Sequence, residues 1–129
     1  MREAVIVAGL RTAIGRVGGT LKDVEVDYFT SAIMRAILQR TGIPGTAVDE
    51  VILGHTKQSG DNPNLARLAL LRADMPEDIP AYTVHRQCGS GLTAVNNAAQ
   101  AIWAGTADVI MAGGAESMST APYYLRGAR

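Results

Sequence analysis

The chain has 129 residues, a length that suits one domain able to bury roughly two-thirds of its unfolded surface. Apolar residues make up 47% of it and charged residues 19%, which excludes a disordered segment. Lys plus Arg and Asp plus Glu each total 12, and this formal neutrality argues against broad electrostatic capture of nucleic acid.

Met1-Arg2-Glu3 is too charged to open a secretory signal. No apolar run approaches the roughly 20 residues that span a bilayer. A soluble cytoplasmic protein is the expectation, with no membrane partner. One cysteine, Cys88, excludes an intrachain disulfide and fits a reducing compartment.

Taken in order, Ala4-Val5-Ile6-Val7-Ala8 is an apolar run ending at Gly9 and reads as a buried strand. Arg11 to Thr20, with Gly15, Gly18 and Gly19, reads as a loop. Phe29, Ala32, Ile33, Ala36 and Ile37 recur at helical spacing. They predict a helix from about Val26 to Arg40, stopped by Gly42 and Pro44. Val51-Ile52-Leu53-Gly54 is a second strand. Asn62 as N-cap and Pro63 at the first helical position predict a helix running to about Ala73. Ala81-Tyr82-Thr83-Val84 is a third strand, residues near 89 to 104 a helix, and Val109-Ile110-Met111-Ala112 a fourth strand. Strands alternating with helices predict an α/β fold, a mainly parallel sheet with helices on both faces. Residues after about Ser119 lack periodicity. The predicted division is one α/β unit over 1–118 and the start of a further excursion over 119–129.

Gln87 to Ala107 contains no charged residue. A surface helix shows a charged outer face. This one reads as built to be covered on most sides, which implies a further layer from another chain or from further sequence.

His85-Arg86-Gln87-Cys88-Gly89-Ser90-Gly91 links the third strand to that helix. Cys88 therefore falls at a strand-to-helix turn, near the unpaired N–H groups and positive end of a helix, which favour a thiolate. Gly89 and Gly91 read as room for an incoming acyl group. An ordinary thiol with pKa near 8.5 is only about 3% ionised at pH 7. A helix terminus contributes up to about 2 kcal/mol, lowering a thiol pKa by about 1.5. Stronger activation needs a nearby base. From spacing alone, a nucleophile and a small buried hydrophobe both remain open readings of Cys88.

Other cysteine chemistries fail on the letters. A redox pair needs a second Cys where Gly91 stands, and a phosphatase loop needs Arg where Ala94 stands. Cys88, His85 and His55 make a poor zinc set, so no metal is expected. Gly9-Leu10-Arg11-Thr12-Ala13-Ile14 does not fit a dinucleotide loop. His85 and His55 read first as structural residues. Arg11, Arg16, Arg67 and Arg72 read as solvated or ion-paired, and Met111 and Met118 as packing residues.

At this point the letters resemble the thiolase family. Thr83-Val84-His85-Arg86-Gln87-Cys88-Gly89-Ser90-Gly91-Leu92 is similar to its nucleophile segment. Arg11-Thr12-Ala13-Ile14-Gly15-Arg16, Val48-Asp49-Glu50-Val51-Ile52-Leu53-Gly54, Gly60-Asp61-Asn62-Pro63 and Ala112-Gly113-Gly114-Ala115-Glu116-Ser117-Met118-Ser119 fit as well, collinearly over nearly the whole chain.

The resemblance implies acyl transfer of the acetyl-CoA acetyltransferase type. Cys88 would take an acyl group from acyl-CoA, and the α-carbanion of a second acyl-CoA would attack it; thiolysis is the reverse. The backbone N–H of Cys88 would form part of one oxyanion hole. Coenzyme A thioesters enter as substrates, and no permanently bound cofactor is implied. The position of His85 is usually Asn in the family. The activating histidine and acid–base cysteine belong to a C-terminal half, so this chain alone is expected to be incomplete and inactive. The implied fold is half of a five-layer αβαβα sandwich, with the loop domain starting near Tyr123. The implied partners are a complementing C-terminal half or further copies of the chain. A non-catalytic association module and a ketoacyl synthase-like enzyme stand as alternatives, the Gly-Gly-Ala-Glu-Ser-Met-Ser run favouring thiolase over the latter.

Overall fold

In the computed structural model, which describes residues 2–128, helix α1 spans Val26–Thr41 and ends as the sequence predicts. Gly42 adopts φ +70°, the left-handed conformation that glycine takes without steric cost, and its N–H bonds to the carbonyl of Leu38. The most deeply buried face differs from the apolar stripe. Val26, Asp27, Thr30, Ser31 and Met34 are buried, whereas Phe29, Ile33 and Ile37 are half-buried along a groove. Two hydroxyls are tolerated there because each bonds within the helix: Thr30 Oγ1 donates to the Val26 carbonyl at 2.6 Å, and Ser31 Oγ to that of Tyr28 at 2.8 Å.

Helix α2, Leu65–Arg72, packs against α1. Its cap is Asn64 rather than Asn62, and Pro63 lies outside the helix. Asn64 is held on both sides. Its Oδ1 accepts from the Arg67 N–H at 3.2 Å and from Thr83 Oγ1 at 2.8 Å, while its Nδ2 donates to the Ala81 carbonyl at 3.0 Å. Asn62 instead closes a turn on Ser59. Across the helix pair, Arg72 Nε meets Asp27 Oδ2 at 2.7 Å and its guanidinium lies 3.7 Å from the Tyr28 ring centroid.

The sheet has three parallel strands in the order β2-β1-β3: β1 Glu50–Gly54, β2 Ala81–Val84 and β3 Ile110–Gly114. β3 starts one residue later than expected and runs through Gly114. The first expected strand does not form. Val5, Ile6 and Val7 are 67%, 85% and 72% exposed and pair with no strand among the described residues. An apolar run becomes a strand only when a neighbour takes its backbone hydrogen bonds and its side chains, and here neither is supplied.

Side chains of β1 alternate between two cores. Val51 and Leu53 pack with Leu65, Ala66, Ala69 and Leu70 on the α2 face. Ile52 packs with Ala94 and Ala98 of helix α3, Ser90–Ala104, on the other. Helices therefore cover both faces. Leu65, Leu70, Val51 and Ile52 are fully buried, each contributing about 1.5–3 kcal/mol. Residues 119–128 contain no helix or strand. Among the described residues no helix is long and apolar enough to cross a membrane.

Candidate active site

Parallel strands bring their C-terminal ends to one edge of the sheet, the edge where α/β folds place reacting groups. The residues that follow β1, β2 and β3 are His55, the His85–Gly89 turn and Ala115–Glu116. Cys88 lies in the middle turn and is exposed. Within this chain it is not part of a hydrophobic core.

The turn is sharp. Gln87 adopts φ +47°, a conformation that costs a residue with a Cβ roughly 1–2 kcal/mol. Four hydrogen bonds hold it. Gly89 N–H donates to the Arg86 carbonyl at 3.1 Å, and Ser90 N–H to the Gln87 carbonyl at 3.0 Å. Ser90 Oγ accepts the Arg86 N–H at 2.7 Å and donates to the Gln87 carbonyl at 2.7 Å. The Cys88 N–H donates to no group among the described residues, which leaves it available to an incoming oxyanion. The first turn of α3 carries no acidic residue, so nothing on that turn offsets the positive helix end beside Cys88.

Glycines bring the helix down onto the strand ends. A Cβ on Gly54 would lie 2.5 Å from the Gly91 nitrogen and 2.8 Å from the Ser90 Cβ. A Cβ on Gly114 would lie 3.1 Å from the Gly91 Cα and from the Gly54 oxygen. Gly91 faces Gly114 across a contact of 3.8 Å from its own built Cβ position. It lies in the contact between helix and sheet.

The flanking segments are clasped by a pair invisible in either stretch alone. His55 is 2% exposed; its Nδ1 lies 2.7 Å from Glu116 Oε1 and 3.0 Å from the Ala115 carbonyl. Glu116 Oε2 accepts from Thr56 Oγ1 at 2.6 Å and from the Thr56 N–H at 3.1 Å. The structural reading of His55 holds. His85 is exposed at the start of the turn, three residues before Cys88. Arg67 and Arg72 anchor carbonyls and Asp27. Met111 is half-buried beside the α2-side core, but Met118 is 53% exposed, contrary to the packing role expected of it.

A cavity of about 380 Å³ opens between α1, β3 and residues 10–17, and Cys88 does not line it. Its lining mixes apolar side chains such as Phe29, Ile33 and Met34 with Arg11, Arg16 and Glu116. The thiol, an N–H without a partner among the described residues and the start of α3 lie together at the exposed edge of the sheet.

Comparison with known proteins agrees with this geometry. The sequence pattern described as thiolase, N-terminal domain, matches residues 4–129. The chain is 46% identical to an acetyl-CoA acetyltransferase of Syntrophomonas wolfei over 99% of its own length and 32% of that protein. It is 46% identical to an acetyl-CoA acetyltransferase of Pseudomonas aeruginosa over 100% of its length and 33% of that protein. A 3-oxoadipyl-CoA/3-oxo-5,6-dehydrosuberyl-CoA thiolase of Escherichia coli is equally similar, at 46%. The crystal structure of the Bacillus anthracis acetyl-CoA acetyltransferase superposes with a TM-score of 0.94 at 42% identity, covering 98% of this chain and 32% of that one. The chain thus spans about a third of the length of the relatives it matches. From residue 4 onward, in sequence and in fold, it belongs to the thiolase family, as that family's N-terminal domain.

Proposed function

We propose that this chain supplies the acyl-carrying N-terminal part of a thiolase, with Cys88 as the nucleophile. The observation that carries the reading is an exposed cysteine on a strained strand-to-helix turn, its own N–H unpaired, in a chain matched end to end by acetyl-CoA acetyltransferases. The Cys88 thiolate attacks the thioester carbonyl of acyl-CoA. Charge develops on the carbonyl oxygen and is met by the Cys88 N–H. Coenzyme A leaves as a thiolate and takes up the proton that Cys88 released. The acyl-enzyme is then attacked by the α-carbanion of a second acetyl-CoA, giving a 3-ketoacyl-CoA and returning the thiolate.

Among the described residues no base is hydrogen-bonded to Cys88 to accept its proton, and only one wall of the site is present. The base, the remaining oxyanion donors and the cover over α3 come from the part that the relatives carry beyond this chain. Alone, the chain is inactive. The same reading places it in cytoplasmic acyl-CoA and fatty acid metabolism, working as a homo-oligomer or with a complementing C-terminal half. Leu92 and Trp103, 68% and 54% exposed on α3, favour a second reading, a non-catalytic association module with an inert thiol.

Complementation separates the two. The chain is mixed with the remaining two thirds of a 46%-identical relative and assayed for thiolysis of acetoacetyl-CoA. The expected result is activity in the mixture, none in either part, and a loss of at least about 10³-fold with Cys88→Ala. A stable complex whose activity is absent, or is kept by Cys88→Ala, overturns the acyl-carrier reading in favour of the association module.

A further inference from the structure

Ser90 is 4% exposed, yet its hydroxyl bonds to no other element. Both of its hydrogen bonds close on the turn just before it, one to the Arg86 N–H and one to the Gln87 carbonyl, each 2.7 Å long. Those two groups flank the residue that needs holding. Gln87 stands at φ +47° without the freedom of glycine, so its conformation persists only while the surroundings enforce it. Cys88 follows directly. The direction of its side chain and of its N–H is inherited from Gln87.

Without the hydroxyl, the Arg86 N–H would lose its acceptor in a part-buried site and the Gln87 carbonyl would lose one of its two donors. The backbone bonds of Gly89 and Ser90 would remain. The helix would therefore still start, but the turn would no longer be restricted to the left-handed conformer.

We propose that Ser90 is a positioning residue for acyl transfer: its buried hydroxyl holds Gln87 left-handed and so aims the Cys88 thiol and N–H at the substrate carbonyl. The proposal rests on the reading of Cys88 as the acyl carrier. Ser90 touches no reacting atom. It sets the fraction of molecules in which thiol and oxyanion donor are aligned together, so its loss lowers kcat and leaves KM nearly unchanged.

A double-mutant cycle with Gln87→Gly tests it, because glycine takes a positive φ without strain and needs no clasp. The assay is thiolysis by the complemented chain. Ser90→Ala is expected to lower kcat about tenfold, with KM within about twofold of the parent. With Gln87→Gly already present, the same substitution is expected to lower kcat less than about threefold. A role confined to helix or core packing would give the same loss in both backgrounds, and that result overturns the proposal. So does an unchanged kcat in Ser90→Ala. If Ser90→Ala does not fold, the double variant decides: a folded, active Gln87→Gly/Ser90→Ala protein supports the clasp, and an unfolded one overturns it. An unsubstituted complemented chain without activity refutes the Cys88 reading itself, and this proposal with it. An active parent with equal losses in both backgrounds refutes the Ser90 assignment alone.

Discussion

Asp49 and Glu50 stand side by side at the entrance to β1, yet their carboxyl groups shift in opposite senses. The Asp49 carboxylate accepts the N–H groups of Val109 and Asp108, at 2.9 and 2.7 Å, and these hold its pKa below the ordinary value of 3.8. Partial burial pushes the Glu50 carboxyl above its ordinary 4.5. The signs follow directly. Asp49 supports folding above its unfolded pKa, and that support is lost as pH falls through the lower folded value. Glu50 favours folding below its unfolded pKa, and that contribution is lost as pH rises through the higher folded value. Thermal melts from about pH 3 to pH 7 should therefore show a lower midpoint for Asp49→Asn at neutral pH with a flatter acid limb, and a higher neutral midpoint for Glu50→Gln. Parallel curves for the parent and both variants would contradict these assignments. Residue-scale legibility in the sequence was uneven for a physical reason. Cys88 is marked by its Gly-Ser-Gly neighbours. The clasp on Gln87 is not, because glutamine is no left-handed former and Ser90 reads as an ordinary helix start. The His55–Glu116 pair joins residues 61 positions apart, a distance at which no local pattern operates.

At the scale of elements, the turn carrying Cys88 depends on how closely α3 approaches the strand ends. Gly54 permits that approach: its missing Cβ would sit 2.5 Å from backbone atoms of Ser90 and Gly91, which have no flexible end to yield. Gly54→Ala should destabilise the chain by about 1–3 kcal/mol or more through overpacking, measured by urea unfolding. Gly60→Ala, where the added carbon meets nothing within 4 Å, serves as the control. Equal midpoints would show that helix and sheet are not in the contact described. Spacing located β1, β2, α1 and α3 to within a residue or two, because hydrophobic period and the Gly42 stop are local signals. It misplaced the α2 cap by two residues, because Asn64 is selected by partners on β2, Ala81 and Thr83. It also predicted a strand over Ala4–Ala8 on composition alone, whereas pairing is a property of two strands.

Across the whole molecule, the charge-free helix is the main open account. One face of α3 is sealed by Ile52, Val84, Ile110 and Ala112. The other presents Leu92, Val95 and Trp103 to solvent, and Val5–Val7 stand exposed elsewhere in the chain. Apolar surface of this kind drives association, and unpaired strand edges do the same. The isolated chain is therefore expected to sediment as a dimer or larger species, and to lose self-association when the complementing half is added. A folded, strictly monomeric chain with no affinity for that half would contradict the expectation. The need for cover was legible in the absence of charge from Gln87 to Ala107. Its source was not, because a helix pattern specifies that a face is apolar and carries no record of what lies against it.

The central claim is that Cys88 forms a thioester, and peptide mass mapping of the complemented protein addresses it most directly. After brief exposure to acetyl-CoA and acid quench, the peptide containing Cys88 should carry a single acetyl group that neutral hydroxylamine removes. An acetyl group on any other residue, or an unmodified Cys88 in a mixture that turns over substrate, would contradict the account.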